Sequence, residues 1–324
     1  MPPALAEVGK PLATDVQLQC LRFSPCGKFL VGGGVDGNVR RWSVDGEGST
    51  ALPSLTGHNG WVGALAFARE PATLFTGDSW GRLIAWDYAA TEPKKLWQVA
   101  AAHVGWLRQL AVSHDGRTVA TVGADARWRL WDAKTGEKKA EQTATRELYS
   151  VAFHPDGTLV TGDLHGTISA WDANRKLLRS FDAGEMYKLD RIQDVGGVRR
   201  LGFDAAGKVL FAAGCEPKGG AFVQAIPLLI AFDWVTGKRL HVWKGANDNE
   251  GILHDFAVLP TGGVLAVTSG QPGNGKLLLW QPGEAKPSFE TTKLPNCHAV
   301  TVHPDGVRVA VAATNANSSG NGKV

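Results

Sequence analysis

Cysteine is scarce: Cys20, Cys26, Cys215 and Cys297 are the four in 324 residues, and none stands in C-x-x-C spacing. Neither a zinc ribbon nor a disulfide framework is indicated, and a reducing, cytoplasmic compartment is expected. A surplus of one charge sign is also lacking. Lys and Arg number 34 against 31 Asp and Glu, a formal net charge of +3, without the clustering of a dedicated nucleic-acid binder. No nucleic-acid partner is expected, and Lys94-Lys95 and Lys138-Lys139 read as solvated outer-strand pairs. No long hydrophobic run exists either. The longest uncharged stretch, Phe256 to Gly275, carries Pro260, Pro272 and several glycines; in lipid it would leave backbone polar groups unsatisfied, so no membrane partner is expected. Met1 to Lys10 holds Glu7 and prolines where a secretory signal has a basic stretch and an apolar run, so secretion is not expected. A Gly-Lys-Ser/Thr phosphate loop and a Gly-x-Ser-x-Gly elbow are missing as well.

What is present is ordinary apolar content and abundant glycine. Hydrophobic residues make up 44% and charged residues 20%, which excludes global disorder. Glycine numbers 40 without a Gly-X-Y period, which excludes collagen and implies many tight turns. Self-comparison exposes a repeat. Trp42, Trp86, Trp131, Trp171, Phe232 and Trp280 are separated by 44, 45, 40, 61 and 48 residues. Upstream of these lie turn signals such as Ser24-Pro25-Cys26-Gly27, Ser113-His114-Asp115-Gly116 and His154-Pro155-Asp156-Gly157, and His303-Pro304-Asp305-Gly306 adds another. Short alternating segments flank each turn, as in Val151-Ala152-Phe153 and Thr118 to Val122, and period two indicates half-buried strands. Each unit reads as strands a, b and c, the last ending in tryptophan, then a more polar strand d. Radial stacking of such four-stranded blades covers both faces of each, which argues for a closed propeller.

Over essentially its whole length the sequence resembles the WD40-repeat family, which implies a β-propeller scaffold. In that family a His before strand a, a Ser or Thr on strand b, an Asp in the b-c turn and the Trp on strand c hydrogen-bond within one blade. His103, Thr121, Asp125 and Trp131 match these four roles. His58, Thr76 and Trp86 match three, but Trp80 occupies the aspartate position, so an incomplete network is expected there. His165 and Asn274 replace the aspartate in two other blades, and Asp36 keeps it in the first.

Strand-a anchors at Phe23, Phe67, Val112, Phe153, Phe203, Val258 and Val302 give an all-β, seven-bladed propeller of four-stranded antiparallel blades, one domain over residues 1–324. Only 18 residues follow Gly306 and none is tryptophan. The last blade is therefore expected to lack strand c, residues 314–324 to form a flexible tail, and the native chain to continue past Val324. Residues 1–15, with Leu5 to Leu12 as an outer strand, are expected to close the ring.

Propellers of this kind present the d-a and b-c loops on the face with the channel mouth. Positions six and four residues before each anchor look toward it: Gln17 and Gln19, Trp61 and Gly63, Trp106 and Arg108, Glu147 and Tyr149, Gly197 and Arg199, Ile252 and His254, Asn296 and His298. Trp, Tyr and Arg are the usual interface anchors. Trp61, Trp80, Trp106, Arg108, Tyr149, Arg199 and His254 are accordingly the candidate partner-binding residues, whereas His58, His103, Thr121, Asp125 and Trp131 are structural and Trp128 is core. Long loops at Gly184–Gly197, Cys215–Gln224, Ala246–Gly251 and Gln271–Lys276 fall on the same face, making Arg191, Glu216 and Asp248 a fallback site. The reading is a non-catalytic scaffold for a protein or peptide partner, without cofactor or metal. The alternative is a metal-assisted hydrolase using His254 and His298.

Overall fold

The structure, a computed structural model, describes residues 11–45, 48–69, 72–219, 224–270, 274–314 and 322–324. Six four-stranded antiparallel sheets, here blades one to six, are each made of four consecutive strands. Blade one is Leu18–Phe23, Phe29–Gly34, Val39–Ser43 and Thr50–Leu55. Blades two to six begin with Val62–Ala68, Leu107–Val112, Leu148–Phe153, Arg200–Phe203 and Ile252–Val258. A further four-stranded sheet, the closing sheet, orders Cys297–Val302, Val309–Thr314, Gly322–Lys323 and Ala13–Thr14 from the inside outward. The first strands contact one another in succession, and Cys297–Val302 returns to Leu18–Phe23, so the ring closes.

Burial follows position within a blade. The second strand of blade two, Thr73–Asp78, is buried at every residue because neighbouring sheets cover both its faces. The fourth, Lys94–Val99, is mostly exposed and carries the lysine pair. Apolar clusters sit between sheets rather than within them. Val31, Val39 and Leu55 of blade one pack with Leu74, Ile84 and Trp86 of blade two, and Leu18, Leu30 and Trp42 pack with Ala299 and Ala312 of the closing sheet. Trp128 lies in such a cluster at 1% exposure.

One latch recurs between sheets. His154, in the first turn of blade four, donates from Nε2 to the Gly207 carbonyl in the first turn of blade five at 2.9 Å. His303 does the same to Gly27 at 2.8 Å, docking the closing sheet on blade one. Gly27 and Gly207 adopt φ of +75° and +68°, and a Cβ on either would meet the imidazole at 2.5 and 2.6 Å, so glycine is required twice over.

Four expectations need correction. The closing sheet does not lack a third strand: Gly322–Lys323 pairs with Ala313–Thr314 on one side and Ala13–Thr14 on the other. Two residues suffice because Leu12 and Val324 extend the ladder with reciprocal backbone hydrogen bonds of 2.8 and 3.0 Å. For the same reason residues 322–324 are not a free tail; residues 315–321 lie outside the described residues. The outer strand is Ala13–Thr14, later than Leu5–Leu12, of which residues 5–10 lie outside the described residues. In blade five, Cys215 to Pro217 belong to the strand Val209–Pro217, paired to Ala225–Pro227, and not to a loop. The insert before that blade contains a 3-10 turn, Gly184–Met186, and a hairpin of Tyr187–Asp190 with Gln193–Gly196.

Candidate functional site

The channel mouth is shaped by a repeated irregularity in the innermost strands. The pairing register skips one residue between Leu18 and Cys20, Val62 and Ala64, Leu107 and Gln109, Leu148 and Ser150, Leu253 and Asp255, and Cys297 and Ala299. A bulged residue leaves the ladder and its side chain is re-aimed. The skipped residues are Gln19, Gly63, Arg108, Tyr149, His254 and His298, and all line one pocket of about 220 Å³. Arg199, immediately before the strand Arg200–Phe203, holds the same place in blade five and lines it too. These are the positions four residues before each anchor. Of the positions six before, Trp61 and Trp106 alone join them.

Along one side of the mouth, aromatic rings and guanidinium groups alternate across blades two to five. Trp61 is 48% exposed and meets Trp106 edge-on, ring centroids 5.9 Å apart. The Arg108 guanidinium stands 4.2 Å from the Trp106 centroid and 4.7 Å from that of Tyr149. Arg199 covers Tyr149 at 4.4 Å. Cation–π contact of this kind holds long side chains in fixed positions at modest energetic gain. Arg108 is also paired with Glu147 at 2.6 Å. Arg199 forms no ion pair or side-chain hydrogen bond with a described residue, and its Nε is a buried donor without an acceptor.

The opposite side carries the two histidines. His254 and His298 lie with ring centroids 5.2 Å apart, and His298 Nε2 is 2.7 Å from Gln17 Nε2. Burial pushes the His254 imidazole down to about 3, helped by the nearby His298 and Arg199. Burial alone takes His298 to about 4. Beneath them Asp255, 3% exposed, binds Arg22 at 2.6 Å and Arg200 at 2.8 Å, and accepts the Val300 N–H at 3.1 Å. This knot ties blades one, five and six to the closing sheet. Cys20 also lines the pocket, where burial raises its thiol to about 12, out of the range of a nucleophile. Among the described residues no group of three or more His, Cys, Asp or Glu is placed to hold a metal ion, and two imidazoles fall short of the three protein ligands of a catalytic zinc site.

The within-blade networks lie outside this pocket lining. In blade three, Trp131 Nε1 donates to Thr121 Oγ1 at 2.8 Å, Thr121 Oγ1 lies 2.8 Å from His103 Nε2, and His103 Nδ1 lies 2.8 Å from Asp125 Oδ1. Arg129 adds a 2.8 Å contact to Asp125 and one of 2.6 Å to Glu141. Burial works to raise the Asp125 carboxyl, but hydrogen bonds from His103 and Arg129 prevail and hold it well below the carboxylate range. Burial lowers His103 itself.

Blade two has the same network, contrary to expectation. Trp86 Nε1 donates to Thr76 at 2.8 Å, Thr76 lies 2.6 Å from His58 Nε2, and His58 Nδ1 lies 2.9 Å from Asp78 Oδ2. The carboxylate comes from the end of the second strand, two residues before Trp80. Asp78 also accepts the backbone N–H groups of Asn59, Trp80 and Arg82, and these bonds with His58 hold its carboxyl low against the opposing effect of burial.

Trp80 is 66% exposed and lies against Gly60, outside the pocket lining. Arg191, Glu216 and Asp248 do not line the pocket either; Glu216 is engaged by Lys218 and Lys244. The Arg22, Arg200 and Asp255 knot escaped the sequence reading. Its one signal is charge on strand a at residues flanked by core positions. Among the described residues no helix is long and apolar enough to cross a membrane.

A family model described as "WD domain, G-beta repeat" matches residues 11–43, 49–87, 94–132 and 138–172. Small ribosomal subunit protein RACK1y of Oryza sativa subsp. japonica is 29% identical over 124 residues, 38% of this chain and 36% of its own length. Apoptotic protease-activating factor 1 of Homo sapiens is 30% identical over 169 residues, 49% of this chain and 12% of its own length. Pre-mRNA-splicing factor cwf17 of Schizosaccharomyces pombe is 28% identical over 153 residues, 47% of this chain and 44% of its own length. These alignments span less than half the length of each of these relatives.

Proposed function

The chain belongs to the WD40-repeat β-propeller family, and from that premise we propose that it is a non-catalytic interaction scaffold. In this reading the closing sheet is the seventh blade of one ring formed by the whole chain, and the channel mouth binds a protein or peptide. The observation that carries it is the half-exposed Trp61 set edge-on to Trp106 and continued by Arg108, Tyr149 and Arg199. Burying such large, pre-positioned side chains against a partner gains apolar area at little conformational cost, which is how interface hot spots arise. Two relatives are named for a ribosomal subunit and for splicing, and this supports a role inside an assembly.

The experiment is affinity purification with the intact chain and with a Trp61→Ala, Trp106→Ala double variant, followed by quantitative mass spectrometry. Partners that bind at the mouth are lost from the double variant while its circular dichroism stays unchanged. Equal recovery of every partner by both proteins would exclude the mouth as the binding site. Stoichiometric zinc in the purified protein would instead support the hydrolase alternative at His254 and His298.

A further inference from the structure

The charges around the mouth are unevenly matched. Four guanidinium groups, those of Arg22, Arg108, Arg199 and Arg200, line the pocket. Asp255 takes Arg22 and Arg200, and Glu147 takes Arg108. Two carboxylates against four cations leave the mouth positive, and only Arg199 lacks a carboxylate partner among the described residues. The histidines opposite add no charge near neutrality, because the pocket holds both imidazoles unprotonated.

The aromatic faces point the same way. At Trp106 and Tyr149 a cationic ligand would meet ring faces already covered, by Arg108 at both and by Arg199 at Tyr149. Stacking on Tyr149 fixes the Arg199 guanidinium, yet its Nε has no acceptor. An ionised donor left without an acceptor at a half-buried site is costly, and a planar carboxylate is the acceptor that suits a guanidinium best.

We infer that Arg199 recognises a single carboxylate, an Asp or Glu side chain of a peptide whose flanking residues cover Trp61 and Trp106. The inference rests on the scaffold reading and supplies the chemistry of its partner. A phosphorylated side chain fits less well: its second charge would have to draw Arg108 from Glu147 or Arg200 from Asp255, whereas a carboxylate needs Arg199 alone.

The test is selection of phage-displayed random dodecapeptides on the intact protein, then fluorescence anisotropy with one selected peptide. The expected result is one acidic position shared by the selected sequences. Changing that residue to Gln in the peptide weakens binding to the unaltered protein by about tenfold or more, whereas Arg199→Gln, once it has lost that contact, distinguishes the two peptides by less than about twofold. Arg199→Lys retains part of the discrimination. The peptide change needs no altered protein, so the outcome is readable even if Arg199→Gln fails to fold. Equal losses in both proteins, or no acidic position, overturn the inference. Binding more than about tenfold tighter when phosphoserine replaces the acid overturns the carboxylate assignment. Peptides lost on Trp106→Ala but indifferent to Arg199 remove this inference and leave the scaffold reading standing. Failure to select any peptide, or selection of peptides indifferent to both Trp106→Ala and Arg199→Gln, removes both.

Discussion

His58 reaches Asp78 across 2.9 Å with both side chains fully buried, and the pair does in blade two what His103 and Asp125 do in blade three. Asp78 ends the second strand of its blade whereas Asp125 stands in the turn after Thr118–Gly123, and each network still joins tryptophan, threonine, histidine and aspartate. His58→Ala and His103→Ala are therefore expected to destabilise the protein by similar amounts, roughly 1–3 kcal/mol each, by unpairing buried groups. Asp78→Ala should cost more, roughly 3 kcal/mol or above, since three backbone donors lose their acceptor along with His58. Urea denaturation of the three variants checks the order, and a His58→Ala loss far below that of His103→Ala would contradict the completed network.

Acid should weaken the fold in two stages. In the unfolded chain His254 and His298 take up protons near 6.5, while the folded chain keeps them neutral down to about 3 and about 4. The unfolded state binds more protons between these limits, so their contribution is complete above about pH 6.5 and declines as pH falls. Asp78 and Asp125, with depressed carboxyls, add a second decline below about pH 4. Stability measured from pH 7 to 3 should fall less steeply in the first stage for His254→Asn; an unchanged slope would mean that the imidazole is not held neutral.

Removal of Gly322, Lys323 and Val324 should open the closing sheet. Ala13–Thr14 would lose its only ladder partner among the described residues, and Val309–Thr314 would become an edge. An unpaired edge is a template for association. The expected outcome is a lower melting temperature and concentration-dependent oligomers in light scattering, and a monomer with unchanged melting would show that these pairings carry little.

Gly63 offers a cleaner handle on the pocket. A Cβ there meets no heavy atom within 4 Å, and its φ is not in the left-handed region. Gly63→Ala should be neutral or stabilise by roughly 0.5 kcal/mol through the unfolded state, while Gly63→Phe should fill the mouth and abolish partner binding with the fold retained. Thermal melts and the affinity purification above check both halves.

Strand, turn and blade were legible because each is written in local sequence: Pro155 and Gly157 mark the turn, and Trp171, 14 residues after Gly157, ends the third strand. The pocket positions were legible as well, since a fixed offset from each anchor is a periodic property. What escaped was non-periodic. The repeat does not single out Asp78, because spacing from Thr76 points to Trp80, although a carboxylate two residues earlier reaches the same imidazole. Asp255 meets Arg22 across 233 residues of chain, a pairing that exists only once the ring has closed. Gly322 and Lys323 carry no strand signal of their own and pair because two ladders already flank them.

The bulge in the innermost strands separates two kinds of inheritance. Residues inside the ladder answer to their neighbours: Leu107 or Ser150 cannot change size without moving an adjoining sheet. The skipped residues answer to nothing in the ladder, and the chain has placed Gln, Gly, Arg, Tyr and two His there. Blades one to four, blade six and the closing sheet thus each contribute one position that substitution can exchange while the framework stays put. A ligand preference could be rewritten around the mouth one letter at a time, much as a combination lock is reset without rebuilding the door.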